Sequence, residues 1–192
     1  TTWEDFDTYL VVNDLDVFER NFSDVWEREP YNQDASSRFF IDKPAKVTWQ
    51  EAKDYCQWLG EETGLPLDLP TSAQWEFAGR NRELVYEGSD FVPVGSRLPA
   101  NPLGLYDMAD NGKEWVNDWF SPTYYAEHPT ITDPQGPAEG RKKMVRNLDF
   151  SFSHVGMSAS LPSNFNEEWN VIAEYTFRCA VQSDTPVGKV PE

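Results

Sequence analysis

The segment at residues 101–119 constrains the fold most, because it is both aromatic and strongly polar. It reads NPLGLYDMADNGKEWVNDW and contains two Trp, three Asp and three Asn, without the spacing typical of an amphipathic helix or strand. Buried amides and carboxylates need internal hydrogen-bond partners, so the segment is not an ordinary core element. It is also too aromatic for a free linker. We therefore predict a packed irregular loop, held by side-chain hydrogen bonds or by a cation.

The composition indicates one folded domain. The chain has 192 residues, of which 15% are aromatic, which is enough to bury a core and is unlike a disordered chain. Its formal net charge of −17 repels phosphate backbones, so we expect no nucleic-acid partner. The simplest interpretation of this charge is an acidic, solvated surface. No apolar run is long enough to span a bilayer, so no membrane span is expected.

Local capping signals predict two helices. Thr48 and Glu51 form a capping box, after which apolar residues with helical spacing predict one buried face. Gly60 or Gly64 would end this helix. Residues 71–74 repeat the capping pattern for a second, shorter helix. The buried face of the first helix comprises Ala52, Tyr55, Cys56 and Leu59.

The other predicted elements are short. Residues 2–12 and 14–20 suggest further helices, and strands are expected near residues 91–95, 143–146 and 176–181. Repeated Pro and Gly predict a long loop over residues 122–140.

Several segments resemble the formylglycine-generating-enzyme-like family. Residues 101–115 resemble its pattern N-P-x-G-L-x-D-M-x-G-N-x-W-E-W, with Asp110 and Lys113 in place of Gly and Trp. Residues 44–60 and 69–78 resemble its first two helix motifs, and 175–180 resembles its closing G-F-R-C strand. These segments occur in the family's order.

The resemblance implies an α+β fold, a compact irregular variant of the C-type-lectin-like fold with little regular secondary structure. A single domain is expected at residues 1–181, followed by a polar tail at 182–192. Residues 1–10 resemble a segment that an N-terminal strand normally precedes. We therefore expect that strand to have been removed from this chain or to be supplied by a second chain.

The cysteine content bears directly on catalysis. The resemblance implies that catalytic members carry two cysteines shortly after an R-G-G-S-W motif, where they bind copper and oxidise a sulfatase cysteine. The corresponding residues 146–160 contain no cysteine, and the motif reads RNLDF. A second catalytic branch needs a three-histidine iron site, but this chain has only His128 and His154. We expect no copper, no iron and, without a phosphate-binding Gly-rich loop, no nucleotide.

The resemblance also implies structural roles for named residues. Cys56 and Cys179 occupy positions that are disulfide-bonded in secreted members, although buried free thiols are the alternative. Asn111 and Glu114 resemble the ligands of a structural calcium site, completed by neighbouring carbonyl groups. A loop held by hydrogen bonds alone is the alternative. The carbonyl groups are those of Asp110 and Gly112.

The expected function is that of a non-catalytic binding or accessory module that recognises a protein partner outside the cytoplasm, in the periplasm or extracellular space. Two alternatives are an enzyme of the same fold with a different centre (an oxidase or maturation factor) and an immunity protein that neutralises a secreted toxin. The candidate partner groove comprises Phe150, Phe152, His154, Met157, Phe165 and Trp169. The alternative role for its aromatic residues is core packing.

Overall fold

The computed structural model describes residues 1–15, 41–79, 91–108, 110–140, 142–147, 157–160 and 175–184. Within these ranges the chain combines helices with short strands, which confirms the α+β expectation. The helices are α1 (Trp3–Val12), α2 (Trp49–Thr63), α3 (Ser72–Gly79) and α4 (Tyr124–Glu127). The strands are β1 (Leu67–Asp68), β2 (Lys113–Trp119), β3 (Lys142–Arg146), β4 (Met157–Ser160), β5 (Tyr175–Thr176) and β6 (Ala180–Val181).

The predicted capping box starts helix α2. Thr48 Oγ1 accepts the backbone N–H of Glu51 at 3.2 Å, and the Thr48 N–H donates to the Glu51 carboxylate at 2.8 Å. The helix ends at Gly64, which has φ of 69°, a left-handed conformation that glycine adopts without steric cost. The predicted face is buried at Ala52, Tyr55 and Cys56.

Helices α1 and α3 start with the same device. Thr2 and Asp5 form a capping box at the start of α1. Before α3, the Thr71 N–H donates to Gln74 Oε1 at 2.9 Å, and the Gln74 N–H donates to Thr71 Oγ1 at 3.1 Å. Because these capping hydrogen bonds form within one helical turn, the sequence alone indicates where each helix begins.

Strand β2 lies inside a mixed sheet with the order β4-β3-β2-β5. It pairs antiparallel with β3, placing Glu114 opposite Arg146, and parallel with β5. A register irregularity separates the pair Trp115–Val145 from the next pair at Trp119. Strands β1 and β6 form a separate two-stranded sheet.

Helices cover both faces of β2. Trp115 packs with residues of α1 and α2, including Phe6 and Tyr55. The next residue, Val116, packs in a second cluster with Trp75 of α3. Because neighbouring side chains of a strand point to opposite faces, α1 and α2 lie on one side of the sheet and α3 on the other.

The structure corrects several element predictions. Residues 113–119 were predicted as irregular loop but form strand β2. Residues 91–95 form a turn rather than the predicted strand. The single strand predicted at residues 176–181 is divided between two separate sheets. The expected tail at 182–192 stays a prediction, and its first residue is held to the rest of the domain, since the Gln182 N–H donates to the Pro66 carbonyl at 2.7 Å. Most of the predicted helix at 14–20 lies outside the described residues.

The start of the chain pairs with the segment that precedes α2 through an isolated bridge. Thr2 pairs antiparallel with Pro44. The expected strand preceding Thr1 stays a prediction. In the part of the chain that the structure describes, no helix has the length and apolar character needed to cross a membrane.

Candidate functional site

Residues 101–112, which we call the signature loop, and the start of β2 each place a carboxylate beside an arginine. Glu114 of β2 is buried and accepts two hydrogen bonds from Arg178, from Nε and Nη2, each at 2.7 Å. It also accepts a hydrogen bond from Trp75 Nε1 of α3. Burial alone would favour loss of the Arg178 proton, but the adjacent Glu114 carboxylate raises the pKa of the guanidinium above its usual value. The pair joins the C-terminal segment to the centre of the sheet.

The second carboxylate belongs to Asp110. Arg97 Nη1 lies 2.8 Å from each Asp110 carboxylate oxygen. The Asp110 side chain is 3% exposed and the Arg97 side chain is 14% exposed. Charge-assisted hydrogen bonds in such a poorly solvated position are strong. This ion pair ties the segment before the signature loop to the loop itself.

Residues 91–97, which we call the strap, bind the loop through further side-chain contacts. The Asn111 side-chain oxygen accepts the Val92 N–H at 2.9 Å, and its amide nitrogen donates to the Val92 carbonyl at 3.0 Å. Asp107 Oδ2 accepts the Gly95 N–H at 2.9 Å and a hydrogen bond from Asn111 at 3.1 Å. The first part of the signature is therefore an irregular loop held by side chains, as predicted.

Three of the residues of the predicted calcium site, Asp110, Asn111 and Glu114, take part in these contacts through their side chains. Among the described residues, no group of three or more His, Cys, Asp or Glu side chains is arranged to hold a metal ion. The side-chain oxygens of Asp110, Asn111 and Glu114 already accept hydrogen bonds from protein groups. Gly112 has φ of 113° and turns the backbone into β2. Calcium binding stays a prediction, and these partners favour a loop held by hydrogen bonds.

A buried lysine lies on the opposite side of β2. Lys143 Nζ is 3.7 Å from the ring centroid of Trp49 and 3.8 Å from that of Trp119. It donates to the Asn117 carbonyl at 3.0 Å. Burial and the nearby charge of Lys53 lower the pKa of Lys143 to about 8. Two aromatic faces oppose this effect by attracting the charged form.

A buried aspartate connects β2 to the start of α3. Asp118 accepts the backbone N–H of Ser72 at 2.7 Å and the hydroxyl of Tyr125 at 2.8 Å. Burial raises the pKa of Asp118, although both hydrogen bonds oppose that rise. Burial and the Asp118 charge together raise the pKa of Tyr125. The contacts make Asp118 a fixed anchor for α3, and a carboxylate at a helix start is electrostatically favourable.

The two cysteines form the predicted disulfide. Cys56 of α2 and Cys179, which lies between β5 and β6, are bonded to one another across a sequence separation of 123 residues. Their Cα atoms are 5.4 Å apart. This prediction is confirmed, and the bond fastens the C-terminal segment to α2.

The predicted partner groove lies mainly outside the described residues. Met157 begins β4, where its backbone pairs with Val145, and only its backbone is described. His128 follows α4, and its Nδ1 is 2.8 Å from the Tyr124 carbonyl oxygen. The groove residues outside the described ranges are Phe150, Phe152, His154, Phe165 and Trp169.

Sequence reasoning missed Arg97, Lys143 and Asp118. Arg97 lies in the strap, 13 residues before its partner Asp110 and outside the motif. An indirect signal was present, because Asp110 adds a carboxylate where the family pattern has Gly, and a buried carboxylate needs a cation or donors. No spacing pattern distinguishes Lys143 from an exposed strand lysine.

Comparison with known proteins decides the family. The model of the sulfatase-modifying factor enzyme 1-like domain matches residues 2–96 and 87–183. The chain belongs to the formylglycine-generating-enzyme-like family. It is 32% identical over 181 residues to the formylglycine-generating enzyme of Streptomyces coelicolor, a match that covers 76% of this chain and 54% of that enzyme.

A second relative is named as a protein kinase. The chain is 35% identical over 157 residues to the serine/threonine-protein kinase pkn1 of Chlamydia caviae, covering 70% of this chain and 23% of that protein. The chain thus spans about half of the first relative and about a quarter of the second.

The fold is also found in a solved structure. PvdO from Pseudomonas aeruginosa superimposes with a TM-score of 0.64 at 22% identity, covering 93% of this chain and 76% of PvdO. This likeness confirms the irregular α+β fold.

Proposed function

We propose that this chain is a non-catalytic member of its family that binds a protein partner outside the cytoplasm. The observation that carries the proposal is the Cys56–Cys179 disulfide, which engages both cysteines of the chain. A cuprous centre requires soft ligands such as thiolates. The chain therefore has no free thiol for the copper chemistry that the resemblance attributes to catalytic members.

The same bond supports a location outside the cytoplasm. Disulfides form and persist in oxidising compartments such as the periplasm and extracellular space. This bond joins a buried helix residue to the C-terminal segment. A stable link at this position fits a protein that folds after export.

The relatives support an accessory role. The stretch matched in pkn1 is 23% of that protein, which is named as a serine/threonine-protein kinase. Domains of this family therefore occur as parts of longer chains with other named activities. A module that recognises a partner is consistent with such use.

The surface of the chain supports recognition of a protein. Leu103 and Tyr106 of the signature loop are exposed, as is Val94 of the strap. Gly95 lies directly against the Tyr106 ring, which places these loop regions side by side. Exposed apolar and aromatic residues favour protein contacts, and the net charge of −17 favours a partner with a basic surface.

The test is affinity capture of chemically cross-linked complexes from the native host. We expect one partner to be captured from the periplasmic or secreted fraction with the unmodified chain. Replacing the exposed residues Leu103 and Tyr106 together by Ala should reduce its yield at least about tenfold, since interface aromatics commonly contribute more than about 1.4 kcal/mol.

The matched control is Ile131→Ala, which removes an exposed apolar side chain from a loop and should retain the partner. Equal capture by the double variant and the control, with both proteins shown to be folded by circular dichroism, would contradict the exposed surface of the signature loop as the binding surface. Recovery of the native protein only from the cytoplasm, with reduced cysteines, would contradict the location.

A further inference from the structure

The loop that resembles the family's calcium site is paired with a cation from the strap. Arg97 lies with its Nη1 at 2.8 Å from both oxygens of Asp110, and Asp110 occupies the position where the family pattern has Gly. We propose that the Arg97–Asp110 ion pair replaces calcium in this chain, so that the signature loop folds without a metal ion.

Charge balance is the first support for this replacement. Asp110 pairs with Arg97 and Glu114 pairs with Arg178, while Asp107, the third carboxylate of the loop, accepts hydrogen bonds from Gly95 and Asn111. A guanidinium stays protonated at any ordinary pH. A calcium ion at this position would therefore meet two fixed positive charges rather than two unpaired carboxylates.

The ligand geometry is the second support. Both Glu114 oxygens accept hydrogen bonds from Arg178, and one also accepts from Trp75. The side-chain oxygen of Asn111 accepts the Val92 N–H. Calcium needs several such oxygens together, and binding here would require these hydrogen bonds to break.

The strap is the third support, because its hydrogen bonds fix the conformation of the signature loop, as a bound ion would. It binds the loop through the Arg97 side chain, through the backbone N–H and carbonyl of Val92, and through the Gly95 N–H. The Val94 N–H also donates to the Asp42 carbonyl at 2.9 Å. The loop is thus fixed to the strap by protein groups at several points.

The experiment measures the melting temperature of the full chain in EDTA and in about 5 mM calcium chloride. The unmodified protein should melt at the same temperature in both. Arg97→Gln should lower the melting temperature in EDTA by about 5–10 °C, because it leaves a buried carboxylate without its cation. Calcium should then raise the melting temperature of this variant by about 3 °C or more, since Asp110 becomes available as a ligand.

Lys142→Gln is the matched control, because it removes one positive charge from an exposed side chain and should change neither value. A rise of more than about 2 °C on adding calcium to the unmodified protein would overturn the proposal. The proposal is also overturned if Arg97→Gln has the same melting temperature in EDTA as the Lys142→Gln control. It is overturned as well if Arg97→Gln melts at a lower temperature that calcium does not raise.

Discussion

Replacing Lys143 by Met tests whether burial or the two tryptophans control the charge of this lysine. Lys143 is only 3% exposed, and its pKa falls from 10.5 to about 8 because of burial and the charge of Lys53, while Asp118 and Asp68 oppose the fall. The unfolded chain keeps this lysine protonated up to about pH 10.4. Between about pH 8 and pH 10.4 the unfolded state therefore binds more protons, so stability should rise with pH.

The size of the effect follows from the difference between the folded and unfolded pKa. A difference of about 2.5 pH units corresponds to roughly 3 kcal/mol. The rings of Trp49 and Trp119 stabilise the charged form and subtract about 1 kcal/mol. We expect the free energy of unfolding of the unmodified protein to gain about 2 kcal/mol over that of Lys143→Met between pH 7 and pH 10.

The assay is urea unfolding of both proteins at several pH values, with circular dichroism as the probe of unfolding. The difference between them isolates Lys143, because every other group titrates in both. Lys142→Met removes an exposed neighbouring lysine and should show no such pH dependence. The reasoning is refuted if the difference in free energy of unfolding between the unmodified protein and Lys143→Met stays constant or falls as the pH rises. That result would mean that the tryptophans control the charge of Lys143.

Two further perturbations test the internal links. Replacing Cys56 and Cys179 together by Ser should lower the free energy of unfolding by about 4–5 kcal/mol, because the bond spans 123 residues and constrains the unfolded chain; a loss below about 1 kcal/mol in chemical denaturation would contradict this. Glu114→Gln should cost about 3 kcal/mol because the Arg178 side chain, which is only 23% exposed, would lose its charged partner, and adding Arg178→Met should recover part of that loss. Failure of the double variant to recover stability would assign the cost to the weakened hydrogen bond from Trp75 to residue 114.

The helices were predictable because their signals are local. The Thr48–Glu51 box and the Thr71–Gln74 pair lie within one helical turn, so their hydrogen bonds follow from the sequence. The disulfide was predictable only through the family resemblance, since cysteine spacing alone does not fix a pairing.

Strand β2 was missed because both of its faces are covered. Trp115 and Val116 are adjacent and both buried, in separate clusters, so the alternation that marks a half-exposed strand is missing. The Arg97–Asp110 pair was missed because a tertiary contact brings the strap onto the loop. The identity of Asp110 signalled the need for a partner, but the sequence did not say which cation would supply it.

The most direct test of the non-catalytic claim is copper-dependent oxidation of the cysteine in a sulfatase-derived peptide. The purified full-length native protein would be supplied with cuprous ion and oxygen, and mass spectrometry would measure formylglycine in the peptide. The Streptomyces coelicolor formylglycine-generating enzyme, 32% identical to this chain, serves as the positive control. We predict no conversion by the native protein under conditions in which the control converts the peptide, because both cysteines of this chain form the Cys56–Cys179 bond. Copper-dependent formation of formylglycine by the native protein would contradict the proposed function.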